Sequence, residues 1–108
     1  MTNTPLARQV FQAFARVHIL HHAAEGPIFG LEMIKELQRH GYAIGPGTLY
    51  PILHSLRKAR WLRSAELVVN GKRRKYYVAT AGGRRALAEV RKKIRELGRE
   101  VLGEQTAK

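Results

Sequence analysis

The chain has 108 residues, a length that fits one domain, and its 20 lysines and arginines against 8 acidic residues give a formal net charge of +12, which favours polyanionic partners. It has no cysteine, which excludes a disulfide framework and a thiolate zinc site. No apolar stretch reaches the roughly 18 to 20 residues of a membrane span, and no signal-peptide pattern begins the chain, so we expect a cytoplasmic protein without a membrane partner.

The first predicted element is a helix that begins at Pro5 and ends before Gly26. Its apolar residues recur at steps of three and four, the period of one helical face. This stripe comprises Leu6, Val10, Ala13, Val17, Leu20 and Ala24. Phe11 and Phe14 lie beside the stripe and widen it, so we expect another subunit to cover them.

Two shorter helices are predicted next. The second helix follows Gly30, stops at Gly41, and has an apolar side of Leu31, Ile34 and Leu37. Thr48 is expected to cap the third helix, because its hydroxyl can accept an unpaired backbone N–H, and Pro51 would then lie in the first turn. The apolar side of this helix is Leu49, Ile52, Leu53 and Leu56, and its polar side carries Tyr50, His54, Ser55, Arg57 and Lys58.

A β-hairpin and a last helix complete the chain. Asn70-Gly71 separates two β-prone runs, and both residues tolerate the positive φ of a type I′ turn. Four consecutive cations, Lys72, Arg73, Arg74 and Lys75, are expected at the hairpin tip. Trp61 is interpreted as a core residue under the hairpin. Thr80 is predicted to cap the last helix, whose apolar residues form a heptad-like seam: Leu87, Val90, Ile94, Leu97 and Val101.

This order of elements predicts a mainly α fold with a small β-hairpin, a winged helix-turn-helix followed by a dimerisation helix. Residues 1–80 would form the DNA-binding domain, residues 81–103 the dimerisation helix and residues 104–108 a frayed tail. In such a fold the third helix enters the major groove of double-stranded DNA, and the hairpin contacts phosphates or the minor groove. The predicted DNA contacts are Thr48, Tyr50, His54, Ser55, Arg57, Lys58 and Lys72 to Lys75.

Three sequence blocks also resemble one family. Gly-Thr-Leu-Tyr-Pro-Ile-Leu (47–53), Arg-Arg-Lys-Tyr-Tyr (73–77) and Thr-Ala-Gly-Gly-Arg (80–84) look like the signature blocks of PadR-family transcriptional regulators. The resemblance implies a homodimer, joined by the first and last helices, that represses transcription from a palindromic operator until a small-molecule effector near the dimer interface releases it. It also implies that Tyr50 contacts the phosphate backbone and that Arg74 and Lys75 are wing contacts.

Three positions differ from the pattern of the family that this chain resembles. Arg57 stands where an acidic residue is common, and Ser55 where an arginine is common, so the base preference of a relative does not transfer. Arg60 replaces a glycine that often precedes the aromatic residue, and a non-glycine residue is strained at positive φ.

Other functions are weighed against this hypothesis. The net charge equally allows a non-specific nucleic-acid-binding protein, either a nucleoid component or an RNA binder. An enzyme is not expected, because acids are few and no nucleophile has a plausible base; no cofactor is predicted. His18, His21 and His22, with Glu25 one turn later, resemble metal ligands on one helix, but without a further ligand they are interpreted as partly buried or interface histidines, with a pH-sensitive contact as a minor alternative.

Overall fold

The computed structural model describes residues 4–103, and within that range the chain forms four helices and three strands. In chain order these are α1 (Pro5–Glu25), β1 (Ile28–Phe29), α2 (Gly30–Arg39), α3 (Pro46–Lys58), β2 (Leu62–Val69), β3 (Lys72–Ala79) and α4 (Ala81–Val101). The predicted fold class is therefore confirmed. The tail at residues 104–108 lies outside the described residues. None of these helices is long and apolar enough to cross a membrane.

The sheet contains one strand that the sequence did not predict. β1 has only two residues and pairs antiparallel with β3, Ile28 opposite Tyr77 and Phe29 opposite Tyr76, so the strand order is β1-β3-β2. A two-residue strand has no periodicity that a sequence pattern could reveal. It forms because the hairpin lies beside the start of α2 and supplies the pairing edge.

The hairpin turn is confirmed, but the cations are not in it. Asn70 and Gly71 both have positive φ, 54° and 76°, as a type I′ turn requires. Lys72 to Lys75 belong to β3, where they pair with Glu66 to Val69 of β2. Because successive strand residues point to opposite faces, the four cations divide into two pairs, one on each face of the hairpin.

The core is formed by α1, α2, α3, the sheet and the beginning of α4. Its most buried large side chains are Ile19, Met33, Leu37, Leu49, Leu53 and Leu62. Two predictions about buried faces are confirmed only in part. In α1 Leu20 of the predicted stripe is buried, but Ala15, Ile19 and Ala23 complete the core side, and Leu6 and Val10 are exposed. In α2 Ile34 and Leu37 are buried as predicted, but Met33 is buried and Leu31 is exposed. Both helices carry apolar residues on more than one side, so periodicity alone did not identify the side that packs.

The start of α3 also differs from the prediction. The helix begins at Pro46, and Gly45 is the N-cap without a side-chain hydrogen bond. The Gly45 carbonyl accepts from Thr48 N at 3.1 Å and from Leu49 N at 2.9 Å, so Thr48 lies inside the first turn. Proline is favoured at the first helical position because its fixed φ suits the helix and its missing N–H is not needed there. Pro51 is consequently inside the helix, on its exposed side.

A tight junction joins α3, β2 and α4. Arg60 adopts a φ of 67°, the strained conformation that its position suggested. The Thr80 hydroxyl donates to the Arg60 carbonyl at 2.6 Å and accepts from Gly83 N at 2.9 Å, which confirms Thr80 as the cap of α4. The Trp61 side chain is 40% exposed, so its interpretation as a core residue is wrong. The Trp61 backbone is what lies inside the junction, directly against Gly83.

Candidate nucleic-acid interface

The polar side of α3 is exposed along its whole length. Thr48 and the five polar residues predicted to face DNA are all exposed, while Leu49, Ile52, Leu53 and Leu56 are buried. At 3.6 residues per turn, Tyr50 and Arg57 lie on one edge of the exposed side, Thr48 and Ser55 on the other, and His54 between them. A polar helix face of this size fits the major groove, which is roughly 12 Å wide.

The two edges of α3 have different surroundings. Nη1 of Arg57 lies 3.4 Å from Ser64 Oγ on β2, so this guanidinium is already directed towards the hairpin. Ser55 has no such partner among the described residues. Of the two side chains, Ser55 is therefore the freer to contact a base, and Arg57 the more restrained.

Tyr50 also joins α3 to the beginning of α2. Its phenol packs so closely on Gly30 that a Cβ at Gly30 would overlap the Tyr50 hydroxyl and ring. Glycine is thus the residue that fits at the first position of α2. The packing places the phenol hydroxyl beside the N-terminal end of a helix, where the helix dipole favours negative groups.

The cations of β3, the wing of the fold, differ in how firmly they are held. The guanidinium carbon of Arg74 lies 4.4 Å from the centroid of the Phe29 ring, and Arg74 is half-buried. Nη1 of Arg73 lies 3.3 Å from Oε1 of Glu66. Within residues 4–103, Lys72 and Lys75 make no ion pair and are exposed. The wing therefore offers two free lysines and one guanidinium that is fixed in position.

Tyr50 and the wing meet in one depression of about 330 Å³. Its lining includes Gly30 at the start of α2, Tyr50 of α3, and Arg74 and Lys75 of β3. The Arg74 guanidinium, a phenol hydroxyl and a helix N-terminus therefore converge from three different elements, and Lys75 also lines the depression. This set suits a phosphate group, because each member favours negative charge. The sequence analysis predicted Tyr50, Arg74 and Lys75 as DNA contacts but not Phe29 and Gly30. The glycine at the start of α2 was the one feature of the sequence that could have indicated these two residues.

The residues predicted for dimerisation fall into two groups. Leu87 is 2% exposed and belongs to the core of its own chain, so its assignment to a seam between subunits is wrong. Val90 is half-buried, and Ile94, Leu97 and Val101 are 46%, 61% and 67% exposed. Phe11 and Phe14 of α1 are also exposed. The terminal part of α4 thus presents an apolar stripe that residues 4–103 of its own chain do not cover.

Helices α2 and α3 followed by the β2–β3 hairpin define a winged helix-turn-helix protein with an added terminal helix. The chain belongs to the PadR-like family of transcriptional regulators, whose model matches residues 19–89. Members of this family are DNA-binding regulators without enzymatic activity. The resemblance noted in the three sequence blocks is thereby confirmed.

Individual relatives agree with this assignment. The chain is 50% identical over 99 residues to the transcriptional regulator Rv3488 of Mycobacterium tuberculosis, a match that covers 92% of each chain. A PadR family transcriptional regulator from Eggerthella lenta is 30% identical, with a TM-score of 0.76 over 94% of this chain and 91% of the other. The PadR-like regulator BC4206 from Bacillus cereus, 22% identical, has the same fold, with a TM-score of 0.83 over 93% of this chain and 99% of the other.

Proposed function

We propose that the chain is a homodimeric, sequence-specific transcriptional repressor that binds a palindromic operator. The observation that carries this proposal is the shared depression in which Tyr50 of α3 meets Arg74 and Lys75 of the wing. A phosphate bound there would fix the register of the exposed α3 face on the duplex. Contacts to phosphates position a protein, and contacts to base edges give it sequence preference.

The exposed residues of α3 and of the wing are suited to different parts of the DNA. Ser55 and His54 are exposed on α3 and have hydroxyl or imidazole groups that can bond to base edges in the major groove. Lys72 and Lys75 are exposed point charges on the wing and suit the phosphate backbone. The α3 residues therefore supply discrimination, and the wing supplies affinity.

The uncovered apolar stripe on α4 supports the homodimer. Ile94, Leu97 and Val101 recur at steps of three and four, the spacing of a helix that packs lengthwise on another helix. Phe11 and Phe14 add exposed aromatic area on α1. A second copy of the same chain is the simplest cover, and its twofold symmetry would present two α3 helices to the two halves of a palindrome.

A groove beside α1 is suited to bind a small-molecule effector. This groove has a volume of about 320 Å³ and a mostly apolar lining that includes Phe11, Ala15, Tyr42 and Ile52. Thr48, at the start of α3, also lines it. A small amphipathic molecule bound there would contact both a predicted dimerisation residue and the DNA-facing helix, which is how its binding would release the operator.

The test is a competition experiment. Duplexes selected from a random pool by the purified protein are sequenced, and the preferred duplex is then challenged with an excess of random duplex. A specific regulator prefers its site by roughly a thousandfold or more, and the selected sites should be palindromic. A ratio near one would instead establish the alternative, a non-specific nucleic-acid-binding protein, which the net charge of +12 also allows.

A further inference from the structure

Three histidines converge between α1 and the end of α2. His18 and His22 are one turn apart on α1, and His40 follows the last residue of α2. One ring nitrogen from each lies within 4.8 Å of the others. The sequence pattern pointed only to the histidines of α1, and the fold adds the ligand from another element that the pattern lacked.

A carboxylate faces two of these histidines. Oε2 of Glu36 lies 3.4 Å from Nε2 of His22 and 3.0 Å from Nε2 of His40. Arg39 donates to the other oxygen, Oε1, and so directs Oε2 towards the imidazoles. The Glu36 side chain is 19% exposed, which is low for a charged residue on a surface helix. Glu36 therefore contacts the three-histidine group through the Nε2 atoms of His22 and His40 and helps to enclose it.

The spacing of the three ring nitrogens suits one metal ion. Ligands 2.0 to 2.1 Å from a tetrahedral Zn²⁺ ion are about 3.3 Å from one another. The three ring nitrogens lie within 4.8 Å of one another, a range that includes this separation. Imidazole nitrogens favour Zn²⁺, Co²⁺ and Ni²⁺, whereas Mg²⁺ and Ca²⁺ prefer sets made of oxygen.

His18 lies beside the other two histidines although Glu36 does not hold it there by a hydrogen bond. Its ring lies 4.9 Å from the His40 ring and 6.4 Å from the His22 ring, centroid to centroid, and it makes no hydrogen bond within the described residues.

A second histidine group on α1 is less suitable. His21, His22 and Glu25 also lie within ligand distance of one another, but all three belong to one face of a single helix. Nη2 of Arg91 lies 3.1 Å from Nδ1 of His21, so a guanidinium already occupies this side of the group. A second cation would be repelled there.

We propose that His18, His22 and His40 bind one divalent transition-metal ion of the Zn²⁺ type. The ion would tie the end of α2 to α1, because His18 and His22 belong to α1 and His40 follows α2. Glu36 and Arg39 are positioning residues in this site: Glu36 orients the imidazoles of His22 and His40, and Arg39 orients Glu36.

The experiment uses the full chain without a histidine tag. Zn²⁺ is titrated in competition with a chromogenic chelator, and Co²⁺ binding is followed by the visible absorption of a four-coordinate ion. We expect one ion per chain and no displacement by excess Mg²⁺. His40→Gln and Glu36→Gln should each lower the Zn²⁺ affinity by more than about tenfold, because substitution of even a residue that only supports the ligands lowers metal affinity by that factor. His21→Gln is the matched control and should bind as the unmodified chain does.

Two results would overturn the proposal. One is equal Zn²⁺ affinity in His40→Gln and the unmodified chain, with both folded by circular dichroism. The other is loss of binding in His21→Gln but not in His40→Gln, which would place the ion at the His21 group instead. If His40→Gln does not fold, His18→Gln is measured in its place with the same expectations.

Discussion

The guanidinium of Arg74 stacks over the ring of Phe29, 4.4 Å from its centroid, and so connects the wing to the residue that precedes α2. β1 exists at this point because Phe29 pairs with Tyr76 two residues further along β3. The wing is therefore held against the helix-turn-helix by both backbone pairing and a cation–π contact. Its cations have a fixed relation to α3, which a free hairpin would not give them.

The first prediction concerns the wing. Lys72→Ala combined with Arg74→Ala should weaken binding to all duplexes about equally, because phosphate contacts carry no base information. The slope of log affinity against log salt concentration is negative, and it should become shallower by about 0.9 for each phosphate that the variant no longer neutralises. Fluorescence anisotropy at several salt concentrations measures both quantities. Lys93→Ala on α4, where Nζ lies 3.6 Å from Glu96, is the control with an unchanged slope. A changed base preference in the wing variant would contradict the division of roles.

The second prediction concerns α3. Ser55→Ala should change preference at particular base pairs, at a cost of about 1 to 3 kcal/mol for the affected site, and leave the salt slope unchanged. Repeating the selection from random duplexes with the variant is the measurement. Arg57→Ala should change preference too, and it also removes the contact with Ser64 Oγ. A uniform loss of affinity in Ser55→Ala would show that this residue does not contact a base.

The third prediction concerns the α4 stripe. Leu97→Asp should convert a dimer into a monomer, because a carboxylate would be buried at the proposed interface without a partner. Lys92→Glu is the control, since Lys92 lies on the opposite side of the same helix and its substitution should leave the dimer intact. Sedimentation velocity at matched concentrations distinguishes the two. A dimer that persists in Leu97→Asp would mean that this stripe is not the contact.

The fourth prediction compares two neighbouring glycines. A Cβ at Gly83 would overlap the Trp61 carbonyl, whereas at Gly82 it would meet ordinary contacts at 3.7 Å or more. Gly83→Ala should therefore lower the free energy of unfolding by about 1 to 3 kcal/mol. Gly82→Ala should be neutral or stabilising by up to about 1 kcal/mol, because the unfolded chain loses freedom. Urea unfolding at one protein concentration measures both, and equal effects would contradict the close packing.

The fifth prediction concerns Arg60. Its φ of 67° is strained for any residue with a Cβ, so Arg60→Gly should raise the free energy of unfolding by roughly 1 kcal/mol. Arg60→Ala removes the same charged side chain but keeps the Cβ. The difference between the two variants therefore isolates the backbone contribution. Urea unfolding is again the measurement, and no difference would show that the strain is negligible.

Local signals in the sequence were sufficient for several elements. Asn70-Gly71 specified the hairpin turn because both residues tolerate positive φ, and Thr80 specified the start of α4 because its hydroxyl accepts a free N–H. The apolar residues of α3 recur at steps of three and four, and this helical period identified its exposed side. The same signals, together with three short blocks, indicated the fold and the family.

Tertiary packing decided the rest. Which apolar side of α1 enters the core depends on what α2, α3 and α4 offer it, and this packing buried Ile19 and left Leu6 exposed. Pairing of Phe29 with Tyr76 created β1, and the approach of α2 to α1 brought His40 and Glu36 to His22. These relationships join residues far apart in the chain, so no local pattern encodes them. Propensity, capping and periodicity act over a few residues, whereas side-chain contacts between elements are settled only when the whole core closes.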